Sequence, residues 1–159
     1  CKDKIYNYNR LRPSDLLYRK TILLEILGKT GGNFIIEQPF YCDYGYNISI
    51  GENFYSNFNL VILDEASVTF GDNVFIAPNV GIYTASHPLD AAARNLGQET
   101  AYPVMIGNNV WIGAGVQILP GVSIGDNSVI GAGSIVNKSI PANVLAVGNP
   151  CRVVREIAP

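Results

Sequence analysis

A repeat of six residues organises most of the chain. Counting in steps of six, an aliphatic residue returns at Ile106, Ile112, Ile118, Ile124, Ile130 and Val136. A small or β-branched residue follows four places after each of them, as Val110 follows Ile106. A helix or an alternating strand would show a period of about 3.6 or 2. The period of six instead predicts a coil of short strands, each followed by a turn.

The same spacing starts earlier in the chain, and it predicts the architecture. The step from Ile62 to Phe70 is eight residues, so one turn there must carry two extra residues. One short strand cannot bury its apolar face, whereas stacked coils pair at about 4.8 Å and share a core. Three hexads in each coil would form a triangular prism. Gly or Asn directly after the aliphatic position, as at Gly107 and Asn137, is expected to relax the backbone at the bends.

The two ends of the chain depart from the repeat. Residues 1–33 are predicted to form a helical segment, with one helix over 14–28 that begins after Pro13 and stops at Gly28. Its leucines recur at helical spacing and are expected to pack on the open end of the prism, at Leu16, Leu23, Leu24 and Leu27.

The remaining segments complete a single mainly β domain. The β-helix is predicted over residues 34–141, and the tail, residues 142–159, is expected to lie along the prism as a strand or short helix. Both ends would then cover exposed sheet edges.

A long polar excursion interrupts the repeat at residues 84–103. Loops of this length in a compact domain are usually functional or disordered. It carries His87, which is the only histidine of the chain. Imidazole exchanges protons near neutral pH, and a rigid scaffold can present it at the root of a loop. His87 is therefore a candidate catalytic base, and the alternative is an incidental surface histidine.

Composition removes several classes of function. With 48% hydrophobic and 15% charged residues, the chain can bury a core, which excludes disorder. A net charge of −2 argues against nucleic-acid binding by phosphate neutralisation. The chain has no run of 18 apolar residues, so no membrane span is predicted. A single histidine argues against a zinc site built from several imidazoles, so no metal is expected. Cys1, Cys42 and Cys151 are odd in number and widely spaced, which favours reduced thiols in a cytoplasmic protein.

Three short motifs carry a family resemblance. NFN at 57–59, TASHP at 84–88 and NVWIG at 109–113 together resemble the maltose/galactoside O-acetyltransferase group of the hexapeptide-repeat acyltransferases. The resemblance extends over residues 5–158. It implies a left-handed coil, a homotrimer, acetyl-coenzyme A as acetyl donor and a sugar hydroxyl as acceptor.

The resemblance also assigns catalytic residues. His87 matches the catalytic histidine, Asn57 matches a residue at the reaction centre, and Glu99 could orient or polarise the imidazole. Acetyl transfer would run directly from thioester to hydroxyl, because no nucleophile elbow indicates an acyl-enzyme. An alternative role for Asn57 is a corner residue with left-handed backbone, which Asn tolerates.

Further matches concern acceptor and coenzyme. The acceptor set consists of Tyr55, Asp64, Glu65 and Trp111. One of the two carboxylates could bind acceptor hydroxyls, and the alternative is that both are simply exposed to solvent. The coenzyme set consists of Gly113, Ala114, Ala132, Asn137, Lys138, Arg152 and Arg155. Near the first two of these, a backbone N–H would face the developing oxyanion. The small Ala132 would admit the pantetheine arm, and the later residues would meet adenine and phosphates, unless the arginines are merely solvated.

Other functions remain open from sequence. A related enzyme could acylate an amino sugar, an antibiotic or a polysaccharide precursor. A non-catalytic sugar-binding β-helix would not need His87, Asn57 and Trp111 together. An ice-binding β-helix would need regular outward rows of threonine, and the outward positions here are mixed.

Overall fold

The computed structural model describes residues 1–157, so Ala158 and Pro159, at the end of the predicted tail, lie outside the described residues. Within these residues there are three helices: α1 (Lys2–Tyr8), α2 (Leu16–Ile26) and α3 (Ala91–Asn95). The strands are β1 (Phe34–Ile36), β2 (Phe40–Cys42), β3 (Ile48–Ser49), β4 (Phe54–Ser56), β5 (Leu60–Leu63), β6 (Val68–Phe70), β7 (Phe75–Ile76), β8 (Gly81–Tyr83), β9 (Ala85–Ser86), β10 (Thr100–Ala101), β11 (Val104–Ile106), β12 (Trp111–Ile112), β13 (Gln117–Ile118), β14 (Ser123–Ile124), β15 (Val129–Ile130), β16 (Ile135–Val136), β17 (Val144–Val147) and β18 (Arg152–Glu156).

Successive strands visit three sheets in rotation. The seven-stranded sheet has the order β1-β4-β7-β12-β15-β17-β18, the five-stranded sheet β16-β13-β8-β5-β2, and the four-stranded sheet β14-β11-β6-β3. Strands of successive coils pair in parallel, as β12 does with β7 and β15. The predicted three-sided parallel β-helix, with an N-terminal helix and a long excursion, is confirmed.

The six-residue pattern defines the core. Every aliphatic position from Ile106 to Val136 is buried, and so is the residue four places after each. Asn109 and Asn127 occupy equivalent places in successive coils 18 residues apart, which is three hexads. Asn53 and Asn73 are 20 apart, so the predicted coil with two extra residues is also confirmed.

The expected role of the residue directly after the aliphatic position was wrong. Neither Gly107 nor Asn137 has a left-handed backbone; that conformation falls two residues later, as at Asn109, with φ of 56°. Glycine follows the aliphatic residue because the next coil approaches closely there. A Cβ at Gly113 would lie 2.6 Å from the backbone nitrogen of Ala132. Space, not backbone freedom, therefore selects glycine at this position.

One corner of the prism carries a continuous ladder of amides. We call it the asparagine corner, and it consists of Asn33, Asn53, Asn73, Asn109, Asn127 and Asn143. Each side chain except the last donates an N–H to the amide oxygen of the asparagine in the next coil, at 2.8 to 3.0 Å. All but the first have positive φ. Asn suits this position for two reasons. It tolerates the left-handed backbone, and its side-chain amide can both donate to and accept from another asparagine amide.

The N-terminal helices close the first coil. The helix predicted over 14–28 is α2, and α1 precedes it as a second helix that the sequence had not indicated. Among the four leucines, Leu23 and Leu27 are buried, but the prediction was wrong for Leu16 and Leu24, which are exposed. The buried face instead includes Arg19, because its guanidinium has partners inside.

Arg19 ties both helices to strand β1. Its Nη2 lies 2.8 Å from Glu37 Oε2 and 2.9 Å from the carbonyl oxygen of Ile36. The hydroxyl of Tyr8, at the end of α1, donates to the same carbonyl oxygen. Burial raises the pKa of Tyr8 above its ordinary value, so the hydroxyl keeps its proton.

The tail forms strands and no helix within its described residues. Strand β17 continues the seven-stranded sheet in parallel with β15, and β18 folds back antiparallel to β17. This pair covers the last edge of that sheet, as expected of a capping segment.

Candidate active site

The excursion is a hairpin that leaves the prism between β8 and β11. Strands β9 and β10 pair antiparallel, with Ser86 opposite Thr100. Helix α3 lies between them, and the Asp90 carboxylate caps it by accepting the Ala93 N–H at 2.8 Å. No residue from 85 to 103 is buried. If the same antiparallel register continues by one residue toward the tip of the hairpin, His87 lies opposite Glu99.

His87 is held in one tautomer. Its Nδ1 lies 3.2 Å from the carbonyl oxygen of Gln98, and a carbonyl oxygen can only accept, so Nδ1 carries the proton. Nε2 then keeps its lone pair, and it lies 3.9 Å from Glu99 Oε1. The imidazole side chain is 57% exposed and the carboxylate 44%. This arrangement suits a general base, because a proton taken up on Nε2 would face a carboxylate.

Glu65 lies at the root of the excursion. Its Oε2 is 3.3 Å from the hydroxyl of Thr84, the last prism residue before the hairpin. Burial raises the pKa of Glu65, and the neighbouring Asp43 carboxylate raises it further. Glu65 and Thr84, with the hairpin that leaves beside them, form what we call the excursion corner.

Asp64 does not belong to an acceptor site. It is fully buried, with 0% of its surface exposed. Its carboxylate accepts the backbone N–H groups of Asp43, Tyr44 and Gly45 at 3.0, 2.9 and 2.7 Å. The prediction that Asp64 binds acceptor hydroxyls was therefore wrong, because both oxygens hold this turn of the neighbouring coil.

A third corner brings Asn57 into line with the predicted coenzyme residues. We call it the alanine corner, and it consists of Asn57, Ala77, Gly113, Ala114 and Ala132. Its coils stack through backbone bonds from Asn57, Ala77 and Gly113 to the coil that follows, at 2.8 to 2.9 Å. The left-handed residue here is Asn59, with φ of 60°, so a left-handed backbone does not explain Asn57. The Asn57 Oδ1 accepts the Phe58 N–H at 2.8 Å.

The structure distinguishes the two backbone N–H groups proposed to face the thioester. The N–H of Gly113 donates to the Ile130 carbonyl oxygen at 2.8 Å and is therefore occupied. The N–H of Ala114 has no acceptor within residues 1–157, and the residue is exposed. Ala114 is thus the one of the pair that can donate to a ligand. Ala132 is also exposed, one coil further on.

An aromatic row runs along the outer face of the seven-stranded sheet. Tyr55 pairs with Phe75, and Phe75 pairs with Trp111. Phe75 and Trp111 are 51% and 56% exposed, which confirms that Trp111 points outward. Sequence reasoning missed Phe75, although it precedes an inward residue just as Trp111 does.

The predicted phosphate-binding residues gather only in part. Asn137 and Lys138 follow β16, and Arg152 Nη1 lies 3.3 Å from Asn137 Oδ1. Arg155 stands opposite Leu145 in the β17–β18 pair. All four are exposed, so their charges and amides are available to an anion.

Within one chain these residues divide between two corners. Asn57 lies before strand β5, and His87 lies beyond the end of its parallel neighbour β8. A strand advances about 3.3 Å for each residue, so the five-stranded sheet separates the two side chains by roughly 10 Å or more. A single chain therefore does not bring both side chains to one reacting atom.

The described part of the chain offers neither a metal site nor a membrane-spanning helix. No group of three or more His, Cys, Asp or Glu side chains in residues 1–157 is placed to hold a metal ion. Within the same residues, none of the helices has the length and apolar character needed to cross a bilayer.

Comparisons with known proteins agree with this geometry. Residues 103–138 match the family model of the bacterial transferase hexapeptide (six repeats). The galactoside O-acetyltransferase of Escherichia coli K12 is 53% identical over 156 residues, which cover 98% of this chain and 77% of that protein.

Solved structures give the same result. A galactoside acetyltransferase in complex with coenzyme A superposes with a TM-score of 0.97 at 53% identity, over 99% of this chain and 78% of that one. A maltose O-acetyltransferase from Clostridium difficile 630 superposes with a TM-score of 0.99 at 52% identity, and the match covers 100% of this chain and 85% of that one. The fold is thus that of the left-handed hexapeptide-repeat proteins. Within that class, this chain belongs to the maltose/galactoside O-acetyltransferase group of acyltransferases.

Proposed function

We propose that this protein transfers an acetyl group from acetyl-coenzyme A directly to a hydroxyl group of a sugar, with His87 as general base. The observation that carries the proposal is the fixed tautomer of His87, whose Nε2 is free and faces Glu99 at 3.9 Å. The relatives support the reaction class, since one is named galactoside O-acetyltransferase and another was solved with coenzyme A.

The reaction needs one proton transfer in each direction. His87 Nε2 takes the proton of the acceptor hydroxyl, whose oxygen attacks the thioester carbonyl carbon. The N–H of Ala114 donates to the oxygen that becomes negative, which contributes about 3 kcal/mol by analogy with other oxyanion holes. The carbon–sulfur bond then breaks, and the imidazolium returns the proton to the coenzyme sulfur. General base assistance of this kind is worth roughly 10²- to 10⁴-fold.

Coenzyme and acceptor would occupy the groove between the two corners. The small Ala132 leaves room for the pantetheine arm beside the backbone, and Lys138, Arg152 and Arg155 supply positive charge for the phosphates. On the acceptor side, Asn57 offers an amide to the reaction centre. Tyr55, Trp111 and Glu65 supply aromatic surface and a hydroxyl partner, as sugars require.

We further propose that the protein is a homotrimer. The outer aromatic row, with Phe75 and Trp111 half-exposed, is an apolar surface that another copy would cover. The separation of Asn57 from His87 within one chain gives a second reason. We also propose a cytoplasmic location: the three cysteines are unpaired in the structure, and a disulfide formed between any two of them there would be reversible.

Mixing two variants tests the shared site. His87→Ala and Asn57→Ala are each expected to have little activity as pure proteins, and sedimentation should give the mass of a trimer. If copies are exchanged by mild unfolding and refolding of a mixture, some sites will combine an intact His87 with an intact Asn57. Activity should then return in part. A mixture as inactive as its components would show that both residues act from one chain.

The acceptor class is decided by the chemical nature of the product. Acetyl-coenzyme A is incubated with maltose, galactosides, glucose or glucosamine, and thiol release is followed colorimetrically. An acetyl group on oxygen is lost in mild alkali, whereas an acetyl group on nitrogen survives. An alkali-labile product supports the proposal; an alkali-stable one would assign an amine acceptor. The same result with every acceptor, namely no release above the blank, would favour the sugar-binding scaffold.

A further inference from the structure

Two cysteines from distant parts of the chain meet beside the N-terminal helix. The Sγ atoms of Cys1 and Cys42 are 3.6 Å apart, although the residues are 41 positions apart in sequence. Cys1 is the N-cap residue of α1, and Cys42 ends strand β2. Cys151 is buried elsewhere, with its thiol beside Ser134. The sequence had suggested three unrelated thiols, whereas the fold makes two of them a pair.

The position of the pair favours a bond. A disulfide holds its sulfur atoms at about 2.05 Å, so side-chain rotation with a small movement of one backbone would close the gap. Cys1 can supply that movement, because its side chain makes no capping hydrogen bond. We propose that Cys1 and Cys42 form a reversible disulfide that fastens helix α1 to strand β2, with a small disulfide such as oxidised glutathione as the oxidant.

The exchange proceeds in two steps. The Cys1 thiol loses its proton and attacks one sulfur of oxidised glutathione, which forms a mixed disulfide and releases one glutathione. The sulfur of Cys42 then loses its proton and attacks the Cys1 sulfur, which releases the second glutathione. Two protein thiols are oxidised by two electrons in total, and one small disulfide is reduced to two thiols.

The surroundings set the order of these steps. Burial, with the charges of Asp64 and Asp43, raises the pKa of Cys42 to about 12, so little of it is thiolate near neutral pH. Cys1 is open to solvent and is the sulfur that a reagent reaches first. Cys42 then acts as the slow resolving thiol, and its closeness to Cys1 compensates for its small thiolate fraction.

The bond would fix one wall of a cavity. A space of about 670 Å³ lies between α1 and β2, with Ile5 and Tyr6 on one side and Tyr41 on the other. Near Cys1, the helix is otherwise held by an ion pair between the exposed Lys2 and the partly buried Asp43, whose Nζ and Oδ1 atoms lie 3.3 Å apart at the surface. Such pairs contribute little. A cross-link that closes a loop of this length restrains the unfolded chain, so oxidation is expected to raise the melting temperature by at least about 5 °C.

The experiment compares the purified protein before and after incubation with oxidised glutathione. Accessible and denatured thiols are counted, non-reduced peptides are mapped by mass spectrometry, and melting is followed with and without dithiothreitol. The proposal predicts loss of two of the three thiols, a cross-linked peptide that contains Cys1 and Cys42, and a higher melting temperature that dithiothreitol reverses.

Two variants keep the result interpretable. Cys1→Ser changes an exposed residue and should leave the fold intact, yet it should lose both the cross-link and the thermal shift. Cys151→Ser should keep both. A wild-type protein that stops at glutathione on Cys1, or that retains all three thiols after prolonged oxidation, would overturn the proposal.

Discussion

The asparagine corner and the excursion corner belong to the same prism but differ in regularity and in what their side chains do. At the asparagine corner, every coil repeats one residue type, all but Asn33 in the same backbone conformation, and a hydrogen bond joins each side chain to that of the following coil as far as Asn143. At the excursion corner, the chain leaves the repeat for a hairpin with no buried residue from 85 to 103. Stability is thus concentrated where the sequence is periodic, and chemistry is placed where the period breaks.

Acidic side chains show how complete the bonding of the regular corner is. Glu52, Asp72 and Asp126 each accept a backbone N–H from an adjacent coil, at 2.7 to 3.0 Å. At the excursion corner, Glu65 and Glu99 instead point toward a hydroxyl group and an imidazole. The same residue type therefore serves the fold at one corner and remains available for chemistry at the other.

The largest expected difference between the two regions is in the free energy of unfolding. Ile106→Ala removes a buried side chain directly before the asparagine corner and should lower this free energy by about 3 kcal/mol. Leu96→Ala, in the excursion, removes an exposed side chain and should change it by less than about 0.5 kcal/mol. Urea titrations of both variants measure this. Equal losses would show that the hairpin packs as part of the core.

The ladder itself should have a smaller effect. Asn73→Ala removes two amide hydrogen bonds and forces alanine into a backbone with φ of 56°, which should cost about 1 to 2 kcal/mol. Asn73→Gly removes the same bonds but accepts that backbone, so it should cost less. Urea titration again measures both, and a glycine variant less stable than the alanine variant would contradict the double role of asparagine.

At the excursion corner, Glu99 should contribute modestly to the rate. Its carboxylate lies 3.9 Å from Nε2 of His87, and two charges at that distance near water interact by about 1 kcal/mol. Glu99→Gln should therefore lower kcat/KM about fivefold at low salt and by less at high salt. A hundredfold loss that salt does not affect would mean that Glu99 contacts the reacting atoms.

The smallest effect is a pH dependence at the regular corner. Backbone N–H groups of Gly32 and Asn33 lower the pKa of Glu52 below its ordinary value. A depressed pKa stabilises the fold above the unfolded-state pKa, and this contribution is lost as the pH falls through the folded-state value. Glu52→Gln should thus be slightly less stable than the wild type at neutral pH and equal to it in acid. A gap that is the same at both pH values would contradict this assignment.

The sequence predicted the repeat, the excursion and the outward direction of Trp111, because each follows from the six-residue spacing of the aliphatic positions. The predictions that were wrong concerned the roles of individual residues within the repeat and the N-terminal helix. The spacing could not show that Gly113 meets the next coil, that Arg19 finds partners inside, or that both oxygens of Asp64 are occupied. Those facts depend on contacts between residues far apart in the chain.

The site was predictable as a set of residues but not as an arrangement. Motifs indicated His87 and Asn57, yet only the order of strands shows them beyond opposite ends of one sheet. Likewise, only backbone bonding separates Ala114, with an unused N–H, from Gly113, whose N–H is occupied. The pairing of Cys1 with Cys42 had no sequence signal at all.

The most direct test of His87 as general base is the kcat/KM of His87→Ala with the best acceptor, measured beside the wild type and Gln98→Ala. The last variant keeps the carbonyl group that orients the imidazole, so it should remain close to wild type. Coenzyme binding, measured by calorimetry, should be the same in all three. If His87 is the general base, kcat/KM should fall at least about a hundredfold in His87→Ala and in neither of the other two proteins. Equal rates for His87→Ala and the wild type would remove His87 from the mechanism.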